Sequence, residues 1–261
     1  MRVASVGHLV FAIGILALGI IGLRHGNFAP VWDPVPQGIP ARMVLVYLCA
    51  IICLACGTGL LWRRTAALST RVLLTTLFLW LVLFRLPSIV LTPNLGTFFG
   101  GCDVAVTMAA AWVLYTWFAT EWDRQKLGFI SGAKGLRIAR ALYGLAMIFY
   151  GSAHFMDLPD TVSLVPHWLP WHVFWAYFFG CAFIAAGVGI LINVFARLAA
   201  ALSTLEIGMF TLLVWVPIVT AAGSKSNFQW SETILSCVLT AAAWLVADSY
   251  RTAPWFAIGK R

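Results

Sequence analysis

Gly22-Leu23-Arg24-His25-Gly26-Asn27-Phe28, followed by Val35-Pro36-Gln37-Gly38-Ile39-Pro40, has a second copy about 130 residues further along the chain. That copy reads Gly151-Ser152-Ala153-His154-Phe155, then Val165-Pro166-His167-Trp168-Leu169-Pro170. Each is followed at the same distance by a Gly-x-Gly-x-Leu segment, Gly57-Thr58-Gly59-Leu60-Leu61 and Gly187-Val188-Gly189-Ile190-Leu191. Ala66-Ala67-Leu68-Ser69-Thr70 recurs as Ala200-Ala201-Leu202-Ser203-Thr204, and Ala109-Ala110-Ala111-Trp112 as Ala241-Ala242-Ala243-Trp244. The pattern predicts a tandem duplication, and its small residues suit close packing of helices in a membrane.

The solvent of this chain is lipid. Of its 261 residues 62% are hydrophobic and 10% are charged, and mean hydropathy is +0.92; a soluble domain carries about 25% charge. The apolar runs are continuous rather than alternating, which favours helices over barrel strands. Eight spans are predicted: 5–23, 41–62, 66–91, 102–119, 138–157, 170–192, 196–222 and 231–250. Prolines punctuate the loops after spans one and five, where a residue without an N–H cannot continue a helix. The expected fold is all-α and polytopic, two parallel four-helix repeats covering 1–120 and 138–261, joined by a polar linker at 121–137.

The net charge of +8 sits in short connections. Thirteen Lys and Arg fall on the face shared by the termini and the 2–3, 4–5 and 6–7 connections; four (Arg24, Arg42, Arg85 and Lys225) fall on the other. The positive-inside rule then predicts an inner (plasma) membrane protein with both termini cytoplasmic. The first run lacks a clear cleavage site and reads as a retained span. No basic aromatic platform is present, so no nucleic-acid partner is expected. The six cysteines lie in or beside apolar runs, which excludes a secreted disulfide framework.

Chemistry-bearing residues concentrate in three places. His154, Asp157 and His167, with Asp160, His172, Trp168, Trp171 and Trp175 near them, are either an interfacial belt or a shallow outer site. In the second case His154, Asp157 and His167 are the catalytic candidates, handling protons, with Trp168, Trp175 and the first-half His25 as ligand contacts. No Cys or carboxylate completes a familiar ligand spacing with these histidines, so no metal is expected. Cys53 and Cys56 form a C-x-x-C well inside span two, either packing residues or a dithiol. Glu206 and Arg85 are intramembrane charges, suspects for a ligand site by their cost; alternatively Glu206 pairs with Arg71, which the Ala-Ala-Leu-Ser-Thr alignment places at similar depth. Asp103 is expected to be solvated or to cap its helix.

From Arg140 to Val219 the chain resembles a DoxX-type membrane domain. Arg140, Gly151, His154-Phe155, the Val165–Pro170 loop, Trp175, Tyr177, Gly180, Gly187–Leu191 and Arg197–Ala200 carry the likeness. The first half resembles the same unit more weakly. The resemblance implies a four-helix membrane unit and, for the wider group, membrane subunits of quinone-linked sulfur or thiol oxidation systems. Where related domains often carry an acidic residue after the loop, this chain reads Phe179-Gly180-Cys181-Ala182-Phe183-Ile184. Two functions follow as expectations. One is a redox-linked subunit that meets quinone between helices and takes electrons through a partner, since no nucleotide loop is present. The other is a non-enzymatic module that binds lipid, moves a small solute or scaffolds a complex.

Overall fold

A computed structural model describes residues 4–36, 38–221, 223 and 226–259. Arg2, Gln37, Lys225, Lys260 and Arg261, used in the charge count and the loop motif, lie outside the described residues. The first half runs α1 (Val6–His25), α2 (Arg42–Leu60), α3 (Arg63–Trp80), a π-helical turn (Leu81–Arg85), α4 (Leu86–Leu91) and α5 (Leu95–Phe118). The expected linker is helical in two short pieces, α6 (Glu121–Lys126) and α7 (Gly128–Ser131). The second half runs α8 (Ala133–Met156), α9 (Leu158–Ser163), α10 (His172–Leu191), α11 (Ala196–Phe210), a second π turn (Thr211–Trp215), α12 (Val216–Thr220) and α13 (Asn227–Asp248).

The helix starts obey local chemistry. Asn94 with Thr97, Thr120 with Asp123, and Ser226 with Gln229 form capping boxes at the N-termini of α5, α6 and α13. Seven helices among the described residues are long and apolar enough to cross a membrane, counting α3–α4 and α11–α12 as single spans through their π turns. The eighth expected span, 138–157, lies in α8, which has 24 residues but is not among the seven. The shortfall is compositional: Arg137, Arg140, Tyr143, Tyr150 and His154 dilute its apolar run.

The spans form a closed ring. α1 packs on α2, α2 on α3, α3 on α5, α5 on α8, α8 on α10, α10 on α11, α11 on α13, and α13 back on α1. α5 also crosses the middle to α13, through the faces that bury Ala109–Ala111 and Ala241–Ala243. Each lobe is thus closed by the fourth span of the other half. The Gly-x-Gly motifs explain the tightest pairs. A Cβ at Gly57 would lie 2.6 Å from the Leu16 backbone nitrogen, and one at Gly187 would collide with the Gly144 carbonyl. Only a hydrogen side chain lets α2 approach α1, and α10 approach α8, this closely. Outward residues such as Val44, Leu48, Ile51, Phe174 and Phe178 are exposed and face the lipid.

Both π turns precede a proline by two residues, Pro87 and Pro217. Proline donates no hydrogen bond and its ring crowds the carbonyl four residues back, which favours a widened turn. The widening changes which residues point inward. On α3 the buried stripe steps Leu73, Leu77, Trp80 and then jumps five residues to Arg85. An undistorted helix would have brought Leu83 or Phe84 to that face.

At the basic end, arginines are tied down by the connections and the tail. Arg140 donates to Ser249 and stacks 3.7 Å above the Tyr250 ring. Arg197 donates to the Ala253 carbonyl at 2.8 Å and stacks on Trp255. The expected Arg71–Glu206 pair is absent: Arg71 Nη2 donates instead to Asp123 Oδ2 at 2.7 Å and to Thr120 Oγ1 at 3.0 Å. Asp123 Oδ1 also accepts from the Tyr115 hydroxyl at 2.9 Å. Burial pushes the Asp123 carboxyl up, but hydrogen bonds from Thr120, Arg71 and Tyr115 outweigh it and hold it at about 2.

Two outcomes follow. Gly57→Val in the detergent-solubilised chain destabilises it by about 1–3 kcal/mol through overpacking, whereas Gly128→Ala, with open space at its Cβ, leaves the melting temperature unchanged. Because the folded Asp123 carboxyl titrates below its ordinary value, its contribution is complete above about pH 4 and lost as pH falls towards about 2. Asp123→Asn removes roughly 2 kcal/mol at neutral pH and flattens the acid limb of the melting-temperature profile.

Candidate functional site

The Pro-rich end of the bundle carries the histidines singled out in the sequence, and the structure does not join them into one unit. His154 is half-buried near the end of α8, its Nδ1 2.8 Å from the Tyr150 carbonyl and its ring 5.5 Å from Phe183. Asp157 caps the C-terminus of α8, its N–H donating to the Ala153 carbonyl at 3.0 Å. No ion pair links Asp157 to His154 among the described residues. His167 is exposed, with its ring 6.3 Å from that of His172. Trp168 and Trp171 are exposed, and Trp175 is half-buried and donates to the Pro170 carbonyl at 3.0 Å. No group of three His, Cys, Asp or Glu able to hold a metal ion occurs among the described residues.

A denser polar cluster lies below this surface; Arg85 and Asp103 are marked in the sequence, Tyr150 and Glu232 are not. Arg85 has no exposed surface. Its Nη1 donates to the Pro34 carbonyl, while Nε and Nη2 have no partner. Asp103 and Asp33 are its charge neighbours. Asp103 was expected to be solvated or capping; instead Asn94 caps α5, and Asp103 sits further in, accepting a hydrogen bond from the Tyr150 hydroxyl of α8. Glu232 of α13 feels both Asp103 and Asp33. In the loop before α2, burial raises the Asp33 carboxyl above its ordinary range, against the pull of Arg85 and Arg42. Asp33 and Asp103 thus face the Arg85 guanidinium, while Tyr150 of α8 and Glu232 of α13 reach the cluster through Asp103. The available signal was Asp103 itself, the one acid within Leu95–Phe118.

Tyr150 links this cluster to a cleft of about 160 Å³ between α5 and α8. Phe98, Phe99, Cys102, Phe149, Tyr150 and Met156 line most of it. Phe98 and Phe149 stack at 6.1 Å, and Phe99 lies 6.0 Å from the Tyr150 ring. The cleft is an aromatic slot in which Tyr150, Cys102 and Ser152 are the lining residues with polar side-chain atoms, and Tyr150 joins it to Asp103.

Glu206 is 7% exposed on the inward face of α11, and its Oε1 has no partner. Ser203, one turn away, hydrogen bonds the Tyr143 hydroxyl at 2.8 Å. Cys53 and Cys56 are buried free thiols on the same face of α2 as Cys49. His25, at the end of α1, borders a second cleft between α1 and α13. Removing the Tyr150 hydroxyl leaves the half-buried Asp103 without its donor, so Tyr150→Phe should lower thermal stability by about 1–3 kcal/mol. His167→Ala, at an exposed ring, should not.

No curated protein and no solved structure shows significant similarity to the chain. One family model does match, DoxX, over residues 135–216. The matched segment runs through α8, α9, α10, α11 and the second π turn to the first residue of α12. The first half and α13 fall outside it. By that match residues 135–216 of this multi-pass membrane protein are similar to a DoxX domain.

Proposed function

We propose that the protein is a redox-linked membrane subunit that receives an apolar ring of the quinone class in the α5–α8 cleft and exchanges electrons through a partner. The observation that carries this reading is the aromatic slot backed by Tyr150 and Asp103. An apolar cavity of about 150 Å³ takes up a benzene-sized ring, so a cleft of about 160 Å³ suits one ring head with its tail left in the lipid. Phe98, Phe99 and Phe149 would hold the ring by its faces. Tyr150 would present its hydroxyl at the ring's edge, and Asp103 would hold the proton that a ring oxygen gains or loses on two-electron transfer. His154, with Asp157 and His167, would connect that proton to the surface. Cys53 and Cys56 have no part in this route, since neither lines the cleft.

The same proposal includes two parallel repeats and an inner (plasma) membrane placement with cytoplasmic termini. The recurring π turns, the prolines after them, and the left-handed residues Ala41 and Trp171 at the starts of α2 and α10 support the duplication. The arginines and lysines gathered at the end bearing α6 and α7 support the orientation.

A short-tailed benzoquinone titrated onto the full chain in detergent should bind saturably, read by thermal shift. Phe98→Ala should weaken binding about tenfold, and Ser152→Phe, which fills the slot, should abolish it while the protein stays folded. Absence of saturable binding, or binding indifferent to both substitutions, would discard the quinone reading.

A further inference from the structure

The closed ring has two junctions where the first span of one half meets the fourth span of the other, α5–α8 and α1–α13. Each holds a cleft, and the two clefts occupy corresponding positions. Ile20, Ile21 and His25 stand on α1 where Phe149, Tyr150 and His154 stand on α8. Trp230 and Ile234 stand on α13 where Phe98 and Cys102 stand on α5. The geometry is shared and the chemistry differs.

The α1–α13 cleft is the larger, about 460 Å³, within the range of small-molecule sites. Its wall is aliphatic, made by Ala17, Ile20, Ile21 and Ile234. Its rim at the Pro-loop end is cationic and amphipathic, made by Arg24, His25, Trp230 and Asn227. Arg24 is exposed, and no carboxylate lies within 4 Å of it among the described residues. The neighbouring Arg42 is otherwise engaged, donating to Asn27 at 3.0 Å and stacking on Phe28. The C-terminal dipole of α1 accounts for a cation at that helix end. It does not account for the groove beneath it, nor for the Trp at its mouth.

An aliphatic trough with a cationic rim matches a molecule with an acyl chain and an anionic head. We propose that the α1–α13 groove binds an anionic phospholipid, its phosphate on Arg24 and His25 and one chain along Ile20, Ile21 and Ile234. The site is independent of the quinone reading, because none of its residues lines the α5–α8 cleft.

Native mass spectrometry of the full chain released from detergent tests this, with phosphatidylglycerol and phosphatidylcholine of identical chains as probes. Phosphatidylglycerol should be retained about fivefold better, the preference one cation gives near an anionic head. Arg24→Gln should erase that preference, and Ile20→Trp should lower retention of both lipids by blocking the trough. Inorganic phosphate at millimolar concentration should fail to displace the lipid. Equal retention of the two lipids, a preference that survives Arg24→Gln, or displacement by free phosphate would each overturn the proposal. Unchanged melting of both variants confirms that loss of binding is not loss of fold, and benzoquinone binding should be unaffected in either.

Discussion

A guanidinium with no exposed surface, held among apolar helices, is the most demanding requirement in this structure. An isolated charge in a bilayer costs several kcal/mol or more, so Arg85 cannot sit there unless opposite charge is brought to it. Asp33 comes from the loop before α2 and Asp103 from α5, with Tyr150 of α8 fixing Asp103. Among the described residues no carboxylate lies within 4 Å of Arg85, so neutralisation is shared between Asp33 and Asp103 rather than made by one ion pair. The Tyr150–Asp103 hydrogen bond ties the first half to the second at the Pro-loop end. At the basic end, Arg251 after α13 stacks on Trp117 of α5, 5.2 Å from its ring.

The π turns make this arrangement possible. Without the widened turn before Pro87, Arg85 would face lipid and a leucine or phenylalanine would face the cluster. In the second half Thr211, where the π turn begins, hydrogen bonds Ser236 at 2.7 Å and Thr240 at 2.9 Å. A charged cluster in one lobe thus has a hydroxyl cluster beside the corresponding turn of the other. The lobes have diverged in side chains while keeping the constraint that shapes them.

The spans, the prolines that end them and the glycines where helices touch were legible in the chain, because each follows from local pattern. The lipid-facing runs and the Gly57 and Gly187 contacts are of this kind. The pairing of charges was not legible, and Arg71 shows why. The Ala-Ala-Leu-Ser-Thr repeat sets Arg71 beside Glu206 in alignment. Measured back from the π turns, however, Arg71 lies ten residues away and Glu206 five. Five residues are more than a helical turn, enough to carry Arg71 towards the basic end and into reach of Asp123. Tyr150 and Glu232, and the inward placing of Asp103, were missed for a related reason. They are far apart in sequence, and only the way α5, α8 and α13 pack decides that they meet.

Ring closure also determines how a ligand could enter. Within each half, small residues bring successive helices into close contact along their length, as Gly57 does for α1–α2 and Gly187 for α8–α10. The two junctions between halves lack such a glycine zipper over their Pro-loop ends, where Phe98 meets Phe149 and Trp230 stands beside Ile20. Bulky side chains there hold the helices apart and leave clefts at the protein–lipid boundary. Anything that occupies them arrives sideways from the bilayer, so the occupants must be membrane-soluble. What each cleft selects is then set by its polar edge: a hydroxyl hydrogen-bonded to the half-buried Asp103 carboxylate in one, an exposed arginine in the other.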